Sequence, residues 1–348
     1  MRVILHVGMH KTGSSSIQDH LFAQDPAEGV RYARWNSGNH SGLFLLLFQD
    51  EELVGSHRGF RIRGPDFIAS LPEQKRTWMA SLEEDCEACR DGTLVISAEA
   101  VSGPNFGTAV QRLHDFLQAR ADEVRVIGYV RSPRSFAQSA FQQILKDKGM
   151  TLLDIMTLWP QYQTRFARLD TLFGRENVTL RPYDRKSLFH GDVVADFIRE
   201  AGLPYPQGGS GEANRSLSAE ATALLFLQRS QGEGHVSGFR GAQRQNRTFV
   251  ESLRSIGQGR FAFADSLWAP VLEENRADLD WMEDRLGVSL DDRADPEAIQ
   301  VGGEADLTRI ALQAQPAVQE ILLERLASGP PSVATLVRNL DLLRRLCY

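Results

Sequence analysis

The chain predicts an α/β fold: a central parallel sheet covered by helices on both faces, followed by a mainly helical C-terminal part. Three observations predict it. Four short runs rich in β-branched residues, at 2–7, 93–96, 124–130 and 177–180, alternate with stretches of helical periodicity. Each of the first three runs ends in a polar turn that opens a helix, as parallel strands with crossover helices require. Beyond the Pro- and Gly-rich segment 204–215 the patterns turn mainly helical.

The elements follow in order. Arg2–Val7 is a buried strand that runs into Gly8-Met9-His10-Lys11-Thr12-Gly13-Ser14-Ser15-Ser16, after which Ile17, Leu21 and Phe22 share one helix face. Residues 28–70 read as irregular, apart from a helix over the apolar run Leu43–Phe48. Asn39-His40 at its mouth is either an acceptor-site pair or a helix cap. A helix spans 72–90, with Pro72 in its first turn and Asp91-Gly92 at its end. Strand Thr93–Ile96 leads into Ser97-Ala98-Glu99, and helix Ala109–Leu117 leads to strand Val124–Val130. Ser132 then caps a helix with Pro133 at its first position, running to about Lys148. Strand Asn177–Leu180 precedes a helix over Asp192–Ala201 that Gly202 closes. Helices follow at 218–230 and 272–286, with a basic, glycine-rich loop at 232–247 between them. Residues 304–348 read as two helices broken at Gly329-Pro330-Pro331. The expected division is an α/β domain over 1–303 with a helical extension over 304–348 packed on it. The apolar residues Leu336, Val337, Leu340 and Leu343 of that tail either pack on the parent domain or make a homodimer contact.

Composition narrows the function. A net charge of −6 argues against general nucleic-acid binding, which calls for a basic surface. No stretch approaches the ~18 consecutive apolar residues of a transmembrane helix. A strand beginning at residue 2 leaves no room for a signal peptide, and three cysteines supply no disulfide framework. A cytoplasmic, soluble protein is expected. Cys86-x-x-Cys89 falls late in a helix rather than at a helix start after a strand, so it reads as two incidental cysteines. The eight histidines show no metal-ligand spacing, and no metal is expected.

The turn at 8–16 gathers unpaired backbone N–H groups and the positive end of a helix dipole, an anion site of the kind phosphate occupies. A Walker A loop places lysine after its second glycine. Here Gly8 and Gly13 have the Walker separation, but Ser14 stands in the lysine position and the lysine is at Lys11. Lys11-Thr12-Gly13-Ser14-Ser15 resembles the 5′-phosphosulfate loop of the PAPS-dependent sulfotransferases. Arg131-Ser132-Pro133, with Ser139 eight residues after the arginine, resembles the 3′-phosphate motif of the same family. Both motifs fall at the carboxyl ends of strands, where parallel sheets bind ligands.

The resemblance covers about residues 1–203 and implies a three-layer P-loop-like fold and PAPS as co-substrate, with PAP as product. It implies donor binding by Lys11, Thr12, Gly13, Ser14, Ser15, Ser16, Arg131, Ser139 and Tyr183. Lys11 would stabilise the leaving oxygen, with no divalent metal. Glu99, in Ser97-Ala98-Glu99, resembles the glutamate after the equivalent strand of bacterial and heparan-type members, and is the expected general base; its alternative is an ordinary first-turn glutamate. His40 is the second catalytic candidate, and His10 follows it. A hydroxylated acceptor, a carbohydrate or glycolipid, is expected on analogy. Two features depart from the family. Ser16 stands where many members have tryptophan, and the late Arg-Lys-Gly phosphate clamp is absent, leaving Arg215, Arg240, Arg244 or Arg247 to replace it. The competing readings are a P-loop kinase or NTPase, and a non-catalytic interaction protein that keeps the fold.

Overall fold

A computed structural model describes the chain except residues 25–26, 34, 36, 148–149, 207–215, 233–239, 291–292, 328–332, 334–335, 338–339 and 341–348. Arg215, Leu343 and the Gly329-Pro330-Pro331 break fall outside the described residues.

The fold is α/β and three-layered. Strands β1 (Arg2–His6), β2 (Val30–Tyr32), β3 (Thr93–Ser97), β4 (Glu123–Val130) and β5 (Val178–Pro182) form one parallel sheet in the order β2-β3-β1-β4-β5. Leu5 stands opposite both Ile96 and Val126, so β1 sits at the centre of the register. Alternate residues serve opposite faces. Val3, Leu5 and Val7 enter one core with Leu94, Ile96 and Val126. Ile4 enters the other with Val95 and Ile127. Helices α1 (Ser14–Ala23) and, later in the chain, Val193–Ala201 cover the second face through Ile17, Leu21, Phe197 and Ile198.

Between β2 and β3 run α2 (Ser41–Phe48), α3 (Glu51–Ser56), α4 (Arg58–Arg61) and α5 (Pro65–Ala88). Residues 28–70 are therefore largely structured, contrary to the irregular reading. The short β2 escapes notice because a three-residue edge strand carries no period. Helix α5 begins at Pro65 after Gly64 rather than at Pro72, which lies inside it. Cys86 and Cys89 are buried, unbridged, at its last turn.

Helices α6 (Ala109–Gln118), α7 (Pro133–Asp147) and α8 (Tyr162–Phe173) pack on the first face, and α9 (Val193–Ala201) is capped by Asp192, which accepts from the Val194 and Ala195 amides at 2.9 Å. The later chain forms α10 (Ala219–Gln231), α11 (Arg240–Leu253), α12 (Asp265–Glu274), α13 (Arg276–Leu286), α14 (Glu304–Gln313) and α15 (Gln315–Ala327). Two corrections follow. Residues 240–247, expected in a loop, begin α11, and the single helix expected at 272–286 is two helices broken at Asn275. A second parallel sheet, β6 (Phe261–Phe263) with β7 (Ile299–Val301), was not expected. Phe261 and Phe263 pack on Phe141 of α7 at ring distances of 5.6 and 5.7 Å, which seats this later part against the helix that follows β4. Leu307 and Ile310 of α14 are buried in the same core.

Candidate active site

The loop between β1 and α1 lies at the carboxyl edge of the sheet. The β1–β4 pairing extends into it, with Val7 N donating to Ile127 O at 2.9 Å and Met9 N to Tyr129 O at 3.2 Å. Two residues then take left-handed backbone: Lys11 at φ 67 and Gly13 at φ 77. Gly13 is required twice over. A side chain there would be strained at that φ, and its Cβ would lie 2.6 Å from Val193 Cγ1. Gly13 is also the N-cap of α1, with no side-chain cap for the first-turn amides, which no intrahelical carbonyl reaches.

The hydroxyls of the loop differ in what they do. Thr12 Oγ1 is buried and donates to Met9 O at 2.7 Å, bracing the turn. Ser14 Oγ is buried and has no hydrogen-bond partner among the described residues. Ser15 is exposed and Ser16 half-buried. An orphaned buried hydroxyl at an uncapped helix start fits an anion that would complete it.

Arg131, at the carboxyl end of β4, ties this loop to its neighbours. Its Nη1 donates to Lys11 O at 2.9 Å and its Nε to Ser135 Oγ at 2.7 Å. Its guanidinium lies 6.0 Å from the centre of the Tyr183 ring. Tyr183 in turn packs on Gly13, 3.3 Å from where a Cβ would stand. Burial lowers the Arg131 pKa from its ordinary value, with Tyr183 pulling the other way. Arg131 and Ser139 line one polar cavity of about 1140 Å³.

The far wall of that cavity comes from the later part of the chain. Arg254, Gly257, Gly259 and Arg260 line it. Gly257 has φ +71, and a Cβ at either glycine would fall 2.3 Å from a neighbouring side chain, Glu220 or Ile299. Glu220 Oε2 accepts from the Gly259 amide at 3.3 Å. Of the arginines expected to replace the missing clamp, Arg215 and the Arg240 side chain lie outside the described residues. Arg244 lines a separate apolar groove between α11 and α15, and Arg247 is exposed on α11. Neither borders the cavity. Arg254 and Arg260 do, and the sequence signal that marks them is the run Arg254-Ser255-Ile256-Gly257-Gln258-Gly259-Arg260, two arginines about a Gly-x-Gly turn.

Glu99 opens the short 3-10 turn Glu99–Ser102 after β3. Ser102 Oγ donates to Gly8 O at 2.9 Å, clamping this turn to the first loop. Glu99 is half-buried, and Asn39 Nδ2 donates to its Oε1 at 3.5 Å. Its charge is one of those that act on Lys11. Desolvation lowers the Lys11 pKa, Asp147 and then Glu99 raise it, and Arg131 lowers it. Lys11 Nζ donates to Gln143 Oε1 on α7. Asp147 and Gln143 are neighbours that sequence reading missed.

His40 sits elsewhere in chemical terms. Its ring lies between Tyr32 and Trp35, at 4.8 and 4.7 Å, and its Nδ1 accepts from the Ser97 amide at 3.2 Å. Burial pushes its pKa down to about 4. It is a packed imidazole at the N-cap of α2, buried, with an Nε2 that has no hydrogen-bond partner among the described residues. His10 is exposed on the loop. Among the described residues no group of three or more His, Cys, Asp or Glu is placed to hold a metal ion, and no helix is long and apolar enough to cross a membrane.

No protein-family model matches the chain. Over 135 residues it is 24% identical to an uncharacterized protein of Archaeoglobus fulgidus. That stretch is 38% of this chain and 37% of the other, so the chain spans little more than a third of the curated relative it matches. Among solved structures it is similar to the crystal structure of a sulfotransferase from Alicyclobacillus acidocaldarius, at 18% identity and a TM-score of 0.37, over 69% of this chain and 98% of that one. At that identity and score the superposition speaks to neither site nor chemistry.

Proposed function

We propose that the chain is a sulfotransferase that moves the sulfuryl group of PAPS to a hydroxyl of a carbohydrate or glycolipid acceptor. One observation carries the reading. Arg131 is bonded to the Lys11 loop on one side and lines the cavity that holds Ser139 on the other. PAPS carries anionic groups at both its 3′ and 5′ positions and matches two separated subsites. The phosphates of ATP form a single chain and match one.

When bound, PAPS supplies the activated sulfuryl group. The Thr12 and Gly13 amides and the hydroxyls of Ser14, Ser15 and Ser16 would hold the 5′-phosphate, and the buried, unpartnered Ser14 Oγ is the atom that best fits it. Arg131 and Ser139 would hold the 3′-phosphate with Arg254, and Tyr183 would border the donor against Gly13. Lys11 stabilises negative charge on the leaving oxygen, and Glu99 takes the proton of the acceptor hydroxyl. Lys11, Arg131 and the α1 dipole supply the positive charge, so no divalent metal enters the proposal. A cytoplasmic location and a homodimer contact through the C-terminal tail belong to the same proposal.

Calorimetric titration with PAP and with ATP, each with and without magnesium, tests it. PAP is expected to bind without metal and to lose its affinity in Arg131→Ala. Glu99→Gln is expected to keep that affinity while turnover falls by roughly 10²–10⁴. ATP binding that requires magnesium would overturn the reading in favour of a kinase or NTPase.

A further inference from the structure

Helix α7 carries a polar stripe beside the row Arg134, Gln138, Gln142 and Lys146. Ser135, Ser139, Gln143 and Asp147 recur four residues apart, continuing the spacing from Arg131. Residues at that spacing lie one above the other on one helix face. The stripe is hydrogen-bonded at both ends. Arg131 Nε donates to Ser135 Oγ at 2.7 Å. At the far end Gln143 Oε1 accepts from Lys11 Nζ, and Gln143 Nε2 donates to Asp147 Oδ2. One residue of the first loop is thus gripped twice: Lys11 by its carbonyl through Arg131, and by its ammonium through Gln143.

The donor and acceptor pattern gives this arrangement a direction. An ionised aspartate only accepts, so Gln143 turns its NH₂ group to Asp147 and its carbonyl oxygen to the lysine. An ammonium only donates and sits on a flexible four-carbon stem, so its place is set by whatever accepts from it. A Gln–Asp pair one turn apart is common on exposed helices. Here its third member comes from a loop 132 residues away in sequence. That member is held at φ 67, a backbone region side-chain-bearing residues seldom adopt.

We propose that Gln143, oriented by Asp147, is a positioning residue that aims the Lys11 ammonium. The inference rests on Lys11 being the group that meets the leaving oxygen. Gln143 occupies one of the three ammonium N–H bonds and leaves two for the reaction. The carboxylates of Asp147 and Glu99 both favour the charged lysine, against the burial and the Arg131 guanidinium that oppose it.

The test compares wild type with Gln143→Leu, Gln143→Glu and Asp147→Leu. Three quantities are read: PAP affinity, kcat with donor KM, and the rate at which Lys11 is acetylated by trace acetic anhydride, mapped by mass spectrometry. Gln143→Leu is expected to keep the PAP Kd within about threefold and lower kcat by roughly 10–100-fold, the scale of a misplaced catalytic group. Its Lys11 labelling rate changes severalfold. Gln143→Glu recovers kcat to within about fivefold, because a carboxylate also accepts from the ammonium. Asp147→Leu gives an intermediate loss, since the Gln143 amide then turns freely. Unchanged kcat and labelling in Gln143→Leu overturn the proposal. So does a loss of PAP affinity as large as the loss in kcat/KM, which marks a collapsed loop, or a glutamate variant no better than the leucine one. A wild-type chain that binds no PAP overturns the sulfuryl-transfer reading instead, and labelling still decides whether Gln143 holds Lys11.

Discussion

His6 and His40 illustrate how burial decides what a histidine can do. His6 is the last residue of β1, fully buried, with its Nδ1 on Ser97 Oγ at 2.8 Å; burial pushes its pKa down to about 3. Ser97 also accepts from Gln18 Nε2 at 3.0 Å, and its amide donates to His40. The two imidazoles are therefore neutral parts of one network around Ser97. Both pKa values are depressed below the unfolded value near 6.5, so the unfolded chain binds more protons as pH falls. Their contribution to stability is complete above about pH 6.5 and is lost as pH drops toward 4 and then 3. Each histidine contributes a slope of at most about 1.4 kcal/mol per pH unit. Urea midpoints measured at pH 7, 6 and 5 are expected to fall steadily. His40→Gln is expected to be less stable at pH 7 and to show a shallower pH slope. An unchanged slope would mean that His40 is accessible and titrates normally, and would favour it as the base.

At the scale of elements, the start of α1 is fixed by one glycine. Gly13→Ala places a Cβ against Val193 of α9 at a φ of 77. The left-handed backbone alone costs about 1–2 kcal/mol, and the clash adds to it. A lowered melting temperature is expected, with weaker PAP binding, because the first-turn amides move with the helix; a variant that matches wild type in both would show that the turn is not rigid. This turn was legible in the sequence, because glycines, hydroxyls and an apolar i, i+4 pair mark a strand–loop–helix junction locally. So were β1, β3, β4 and β5, each a β-branched run. What stayed hidden lacked a local signal. Three-residue β2 carries Arg31 at its centre, and α11 is polar through most of its length and flanked by glycine. The Lys11–Gln143 contact joins residues whose partnership is set by how α7 packs beneath the loop, and no window of sequence contains both.

Taken as a whole, the molecule divides the candidate site between its two parts. The phosphate-loop edge of the sheet supplies Lys11, Arg131 and Ser139. The later part supplies Arg254, Arg260 and Arg293, with β6 packed on α7. Arg254 and Arg260 differ in the carboxylates that pair with them. Arg260 is paired with Asp295 at 2.7 Å and Glu297 at 3.0 Å, and is largely exposed. Arg254 is less exposed and pairs with Glu251 at 2.7 Å, its neighbour one turn back on α11. Exposed pairs of this kind contribute little, and Arg260 would have to leave two carboxylates to meet a phosphate. Arg254, the less exposed of the two, is the residue expected to close the 3′-phosphate site. Arg254→Ala is expected to weaken PAP binding about tenfold, the scale of one charge-assisted hydrogen bond, and Arg260→Ala by less than about twofold. The loss should shrink when Ser139→Ala is already present, since groups that share one ligand phosphate are coupled. Calorimetry on the four variants reads this directly. Strict additivity of Arg254→Ala with Ser139→Ala would place Arg254 on a different part of the ligand, and no effect of Arg254→Ala would leave the later part of the chain as scaffold.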